Sequence, residues 1–180
     1  MLPTHLRFPL LAVSTNSRQV GVACLDNHLE VVWADLHCLR RRRDGPAREE
    51  ALRRYVSAAL RRSGAQAIVV DGHERQISPR AAALIEGTMA ALDRCAGSVR
   101  VASFREARVA LKAPDVAMCL QLLVARHDLV RRRLLLRDAR DRPPITRIAA
   151  MRPLIVAVAL AHAAGLVSLS AEATQLSMPT

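Results

Sequence analysis

Two short apolar runs of the sequence are each followed by a polar residue that could belong to a catalytic site. Ser14 follows the run of residues 9–13, and Asp71 follows the run of residues 67–70. Apolar runs of this length that stop at polar or glycine-containing segments are typical of β-strands. In several phosphate-handling folds a catalytic carboxylate lies at such a strand end. Asp71 meets that requirement and Ser14 does not, so the segment at Ser14 is an altered site, a lost site or only a turn.

Asp71 is followed by two further residues of metal-binding type, His73 and Glu74. An Asp-x-His-Glu sequence could hold a single metal ion. The alternative is structural: Asp71 caps the turn at Gly72, and Glu74 is a solvated loop residue. The residue types leave both interpretations open.

The charge of the chain favours polyanionic partners. Its 180 residues carry a formal net charge of +11, and Lys112 is the only lysine, so the positive charge comes from arginine. A field of this sign attracts nucleic acid or an anionic membrane surface. Two arginine runs are candidates for phosphate contacts, with a solvated surface as the alternative: Arg40, Arg41, Arg42 and Arg43, then Arg131, Arg132 and Arg133. Aromatic residues make up only 2% of the chain, so we expect contacts with backbone and shape to outweigh base stacking.

Cysteine usage and hydropathy indicate a cytoplasmic protein. The four cysteines lie far apart without a CxxC pair, which favours reduced thiols in the core over disulfides or a metal site. Residues 153–169 are strongly apolar but fall short of the roughly 20 residues that a membrane-spanning helix needs. We expect a buried helix there and no membrane partner, with a membrane anchor as the alternative.

The remaining patterns define the elements that must position these residues. The predicted strands are 9–14, 19–25, 29–36, 67–70 and 98–103, and the predicted helices are 47–62, 79–94, 104–112, 114–130 and 153–164. This order predicts an α/β fold, with a mixed five-stranded sheet and helices on both faces. The sheet combines a three-strand antiparallel meander with two parallel strands. We expect one domain over residues 1–170 and a frayed tail over residues 171–180.

With this order of elements, the chain resembles the RuvC-like branch of the ribonuclease-H-like superfamily, which includes the Holliday-junction resolvases. It looks most like uncharacterised bacterial members of that branch. The resemblance covers roughly residues 9–164 and is carried by LLAVSTNSRQVGVAC, by the segment from AREEALRRYVS to GTMAAL, by VRVASFREARVAL and by VAVALAHA.

The resemblance implies a nuclease site in which carboxylates hold two divalent metal ions. Such ions activate the attacking water and stabilise the leaving oxygen. The family places these carboxylates at the end of the first strand, at the end of the fourth strand and on the last helix. In this chain the corresponding positions are Ser14, then Asp71 with Glu74 nearby, and residues 153–164, which contain no Asp or Glu. The resemblance also places Arg75 and Arg80 beside the groove for a nucleic-acid backbone.

The candidate catalytic residues are therefore Asp71 and Glu74, with Ser14 at the position of the missing carboxylate and Asp71 as the metal ligand. We expect a nucleic-acid-binding domain for DNA, including branched DNA, with a degenerate metal site and little or no nuclease activity. The alternatives are a weak Mg²⁺-dependent structure-specific endodeoxyribonuclease and a non-catalytic protein-interaction module. The cofactor is Mg²⁺ or none, and a homodimer is left open.

Overall fold

The computed structural model describes residues 6–16, 18–39, 45–72, 86, 98–134 and 145–176. The described strands are β1 (Leu10–Thr15), β2 (Gln19–Leu25), β3 (Val31–Cys38), β4 (Ala67–Asp71) and β5 (Ser98–Ala102). The described helices are α1 (Gly45–Ser63), α2 (Phe104–Ala110), α3 (Val116–Arg126), α4 (Asp128–Arg133), α5 (Ile145–Ala150) and α6 (Arg152–Leu176). The predicted helix over residues 79–94 lies outside the described residues.

The strands form a single mixed sheet in the order β3-β2-β1-β4-β5. β1, β2 and β3 pair antiparallel in chain order, while β4 runs parallel to both β1 and β5. Two connected hairpins form the antiparallel half of the sheet, and α1 leads from β3 into β4, where the parallel half begins. The predicted α/β fold, with a meander and two parallel strands, is confirmed.

Helices cover both faces of the sheet, and the chain has a core on each side. Because side chains alternate along a strand, Leu10 and Ala12 of β1 face α6, while Leu11 and Val13 face α1. Every residue of α6 from 153 to 165 is buried, as predicted for this apolar segment. Within the described ranges, no helix is both long enough and apolar enough to cross a membrane.

Several element boundaries differ from the sequence prediction. β3 begins at Val31 rather than at residue 29, because the Asp26 side chain accepts hydrogen bonds from the backbone N–H groups of His28 and Glu30, both at 2.9 Å, and closes a turn. The helix predicted over residues 114–130 is divided at His127, whose backbone is extended. The last helix continues to Leu176.

Gly21 of β2 lies directly against the first turn of α6. A Cβ atom at Gly21 would be 2.2 Å from the carbonyl carbon of Pro153 and 2.3 Å from the backbone nitrogen of Leu154. Backbone atoms cannot rotate away as the end of a side chain can. Only glycine therefore allows α6 to approach β2 this closely.

We predict that Gly21→Ala destabilises the protein by about 3 kcal/mol or more, the upper end of what overpacking costs. Gly64→Ala is the matched control, since that site is open and only its positive φ opposes a side chain. The control should lose about 1 kcal/mol. Urea unfolding of both variants measures the difference, and equal losses would contradict the close packing.

A pair of histidines is buried where α6 meets the junction of α3 and α4. The rings of His127 and His162 pack edge to face, with centroids 4.7 Å apart. Among the described residues, neither ring nitrogen of His127 has a hydrogen-bond partner, although its Nδ1 lies 3.8 Å from a carboxylate oxygen of Glu30. Burial, followed by the charges of His162 and Arg126, lowers the pKa of His127 to about 4.

The environment of His162 also lowers the pKa of its side chain. Burial and Arg126 lower its pKa, while a hydrogen bond to the backbone of Leu29 opposes that shift. Both histidines are therefore neutral in the folded protein at neutral pH. Each behaves as a core residue and carries a cost when it must be protonated.

We predict that stability falls as the pH drops from about 6.5 towards 4. Between these pH values the unfolded chain binds a proton at His127 and the folded chain does not. The free energy of unfolding therefore changes by at most about 1.4 kcal/mol per pH unit for each such proton. His127→Leu should reduce the slope, because it removes the titrating group. His28→Leu, at an exposed turn, is the control. Unfolding curves at several pH values test this, and equal slopes in the wild type and His127→Leu would contradict it.

Candidate metal and nucleic-acid site

Ser14 and Asp71 lie side by side at the ends of two parallel strands. The register pairs Val13 of β1 with Val70 of β4, which places the next residue of each strand at the same edge of the sheet. The Ser14 hydroxyl donates a hydrogen bond to Oδ2 of Asp71 at 2.8 Å. Both side chains are almost fully buried, at 2% and 4% exposed. The strand-end carboxylate is thus bonded to a neutral hydroxyl from the neighbouring strand.

The start of α6 reaches the same place. Ser14 pairs across the sheet with Gly21, and Gly21 contacts the backbone of Pro153. A hydrogen bond from the Gln19 side chain to the carbonyl oxygen of Ala150, at 2.9 Å, joins β2 to the segment just before α6. The fold therefore brings together the end of β1, the end of β4 and the start of the last helix.

These three segments supply one carboxylate within the described ranges. The first turn of α6 contains no acidic residue, and the helix begins with an exposed arginine, Arg152, followed by buried Pro153 and Leu154. In the segment after β1, the Asn16 side chain accepts hydrogen bonds from the backbone N–H groups of Arg18 and Gln19, both at 2.8 Å. Asn16 therefore stabilises the hairpin turn.

The described residues do not fit a centre for two Mg²⁺ ions. Mg²⁺ prefers oxygen ligands, and carboxylates also offset its charge. Asp71 and Ser14 together supply one negative charge, whereas two Mg²⁺ ions carry four positive charges. In the ranges that the structure covers, no group of three or more His, Cys, Asp or Glu is placed to hold a metal ion. The second predicted carboxylate, Glu74, and its neighbour His73 lie outside the described residues.

The described cysteines are free thiols. Cys24 and Cys119 are buried, and Cys38 is exposed. Burial raises the pKa of Cys24 and of Cys119 to about 11, so both remain protonated at neutral pH. Protonated thiols are poor metal ligands. Cys95 lies outside the described residues.

The second arginine run lies on α4 and pairs with acidic residues of the protein itself. Arg131 and Arg132 both form ion pairs with Asp128, while Arg133 lies 3.8 Å from Asp35 of β3. Arg132 remains 82% exposed. Exposed ion pairs of this kind are weak, so a phosphate group can compete for these arginines. The first run, Arg40–Arg43, and both Arg75 and Arg80 lie outside the described residues.

The structure also groups residues along the outer strand that were not among the predicted site residues. Trp33, Asp35 and His37 alternate along β3 and share the face on which α1 packs. The Tyr55 hydroxyl of α1 donates a hydrogen bond to Asp35 at 3.1 Å, and its ring stacks on His37 with centroids 4.5 Å apart. Burial and the nearby Asp35 raise the pKa of Tyr55, so its hydroxyl stays protonated. The period-two spacing was the available signal for this group.

Comparisons with known proteins place the fold. No family model matches the sequence, and no curated protein matches it. The solved structure of T. thermophilus RuvC in complex with a Holliday junction substrate is similar at a TM-score of 0.62 and 16% identity, covering 86% of this chain and 90% of that one. A second Thermus thermophilus RuvC structure is similar at a TM-score of 0.61 and 14% identity, covering 86% and 91%. Similarity at this identity shows the fold alone, and the chain has a RuvC-like fold.

Proposed function

We propose that this chain is a nucleic-acid-binding, RuvC-like domain whose metal centre is degenerate and which has little or no nuclease activity. The observation that carries the proposal is the buried hydrogen bond between Ser14 and Asp71. It occupies the point where the resemblance calls for two carboxylates. The start of α6, which would bring the last acidic group, brings Arg152, Pro153 and Leu154 instead.

Charge and fold support the binding part of the proposal. A net charge of +11 attracts a polyanion irrespective of catalysis. The fold is shared with T. thermophilus RuvC, which has been solved in complex with a Holliday junction substrate. DNA, including branched DNA, is therefore the partner that we propose. A homodimer and a cytoplasmic location stay predictions.

One alternative keeps catalysis. Asp71 is retained at the strand end, and with Glu74 it would form a weak Mg²⁺-dependent endodeoxyribonuclease for branched DNA. A second alternative is a protein-interaction module, which is favoured by the internal pairing of Arg131, Arg132 and Arg133 with carboxylates. Three measurements distinguish the proposed function from its two alternatives: the salt dependence of DNA binding, the binding of metal ions, and the cleavage of DNA.

We predict that the protein binds a four-way DNA junction with an affinity that falls steeply as salt increases, because each neutralised phosphate contributes about −0.9 to the logarithmic slope. Asp128→Asn should tighten binding by about two- to fivefold, since it frees Arg131 and Arg132 from pairs worth about 0.2–1 kcal/mol. Asp115→Asn makes the same charge change at a helix cap that Asn also serves.

Fluorescence anisotropy with a labelled junction measures all three proteins. Absence of binding at low salt would contradict the proposed function and favour the interaction module. If Asp128→Asn and Asp115→Asn increase the affinity for the junction equally, the effect is one of general charge. Arg131 and Arg132 would then not belong to the binding surface.

We predict that Mn²⁺ leaves the melting temperature of the wild type unchanged but raises that of Ser14→Asp. The new carboxylate would lie against Asp71, and the repulsion between two buried acidic groups is relieved by a divalent cation. Ser14→Asn, similar in size and neutral, is the control. Thermal unfolding of the wild type and both variants, with and without Mn²⁺, measures metal binding without depending on nuclease activity.

Cleavage assays with the same four-way junction complete the test. We expect no product from the wild type in Mg²⁺ or Mn²⁺. Mn²⁺-dependent stabilisation that Asp71→Asn abolishes would overturn the degenerate metal site, and cleavage that Asp71→Asn abolishes would establish the weak nuclease. Cleavage that survives Asp71→Asn would remove Asp71 from the catalytic assignment.

A further inference from the structure

The outer edge of the sheet carries an aromatic and cationic surface formed by Trp33 and His37 of β3 with Tyr55 and Arg62 of α1, which we call the β3-edge surface. The guanidinium carbon of Arg62 lies 4.9 Å from the centroid of the Trp33 ring. Arg62 is exposed and Trp33 is partly exposed. The outermost layer of this stack is therefore a guanidinium group that solvent can reach.

The second half of the surface is an aromatic pair held in place by a carboxylate. His37 and Tyr55 stack with an interplanar angle of 16° and are both partly exposed. Asp35 lies between the two halves on the same strand and accepts the hydrogen bond of the Tyr55 hydroxyl. These contacts hold both stacked pairs, Arg62 on Trp33 and His37 on Tyr55, on one side of the sheet. Little side-chain freedom is therefore lost when a ligand stacks on them.

Composition makes this grouping informative. The chain contains one tryptophan, one tyrosine and two phenylalanines, and the only tryptophan and the only tyrosine both lie on the β3-edge surface. Unpaired bases stack on aromatic rings and on arginine guanidinium planes. Protein interfaces also favour Trp, Tyr and Arg, so it is the net charge of +11 that favours a nucleotide over a protein as the ligand of this surface.

We propose that the β3-edge surface binds unpaired nucleotides, with a base stacked on the Arg62–Trp33 pair. This inference rests on the proposed function and adds to it a preference for single-stranded segments. It also changes the expectation, based on the low aromatic content, that base stacking is minor.

The β3-edge surface is separate from the candidate metal site but close to one residue of the second arginine run. Ser14 and Asp71 face α6, whereas Trp33 faces α1, so the β3-edge surface lies on the other side of the sheet. Arg133 of α4 reaches Asp35 around this edge. Arg133 therefore lies beside the β3-edge surface, where it could contact a phosphate of a strand that stacks on this surface.

The experiment uses Trp33 as its own reporter, because it is the only tryptophan. The full chain is titrated with an oligothymidylate and with a fully paired duplex of equal length, while tryptophan fluorescence and the anisotropy of labelled DNA are recorded in parallel. We expect saturable quenching by the oligothymidylate at the same concentrations at which anisotropy rises. The duplex should cause little quenching.

Arg62→Ala should weaken oligothymidylate binding about tenfold, in the range found when a stacking partner is removed. Arg61→Ala, the exposed neighbour on the same helix, removes the same charge without touching Trp33 and should weaken binding by about twofold at most. DNA binding by anisotropy without quenching, or equal losses from both variants, would overturn the stacking proposal and leave the proposed function standing. Absence of any anisotropy change would overturn both.

Discussion

The contact between Gly21 and the first turn of α6 is the constraint on which the rest of the structure depends. Because glycine leaves no Cβ between them, the backbone of Pro153 rests on β2 and the apolar helix behind it lies flat across the sheet. This places the start of α6 next to the ends of β1 and β4. The core on that face and the geometry of the candidate site therefore share one cause.

At the strand ends, charge balance decides between a metal centre and a structural pair. A buried carboxylate needs hydrogen bonds or a counter-charge, and the hydroxyl of Ser14 meets part of that need at Asp71. Two divalent ions would need several further anionic ligands, which the described residues around Asp71 do not provide. What the described residues show at this point is a hydrogen bond that joins the ends of β1 and β4.

Much of the fold could be predicted from the sequence because its signals are local. The short apolar runs that end at polar residues predicted β1 and β4, and the residues of α1 that are buried, Leu52, Val56 and Ala59, recur at helical spacing. Ser103 and Glu106 form a capping box at the start of α2 with both of its hydrogen bonds, and the Ser-x-x-Glu spacing is a local signal of this kind. The division at His127 could not be predicted, because neither proline nor glycine marks this position.

The sequence by itself determined the order of the elements, the positive charge and the absence of acidic residues from residues 153–164, because these are properties of residue type and spacing. Only the tertiary structure decided which residues meet. It joined Ser14 to Asp71 across 57 positions of the chain, paired Arg133 with Asp35, and stacked Arg62 on Trp33. These residues are far apart in the chain, and they meet because parallel strands pair and helices pack on the sheet, which are interactions between distant segments.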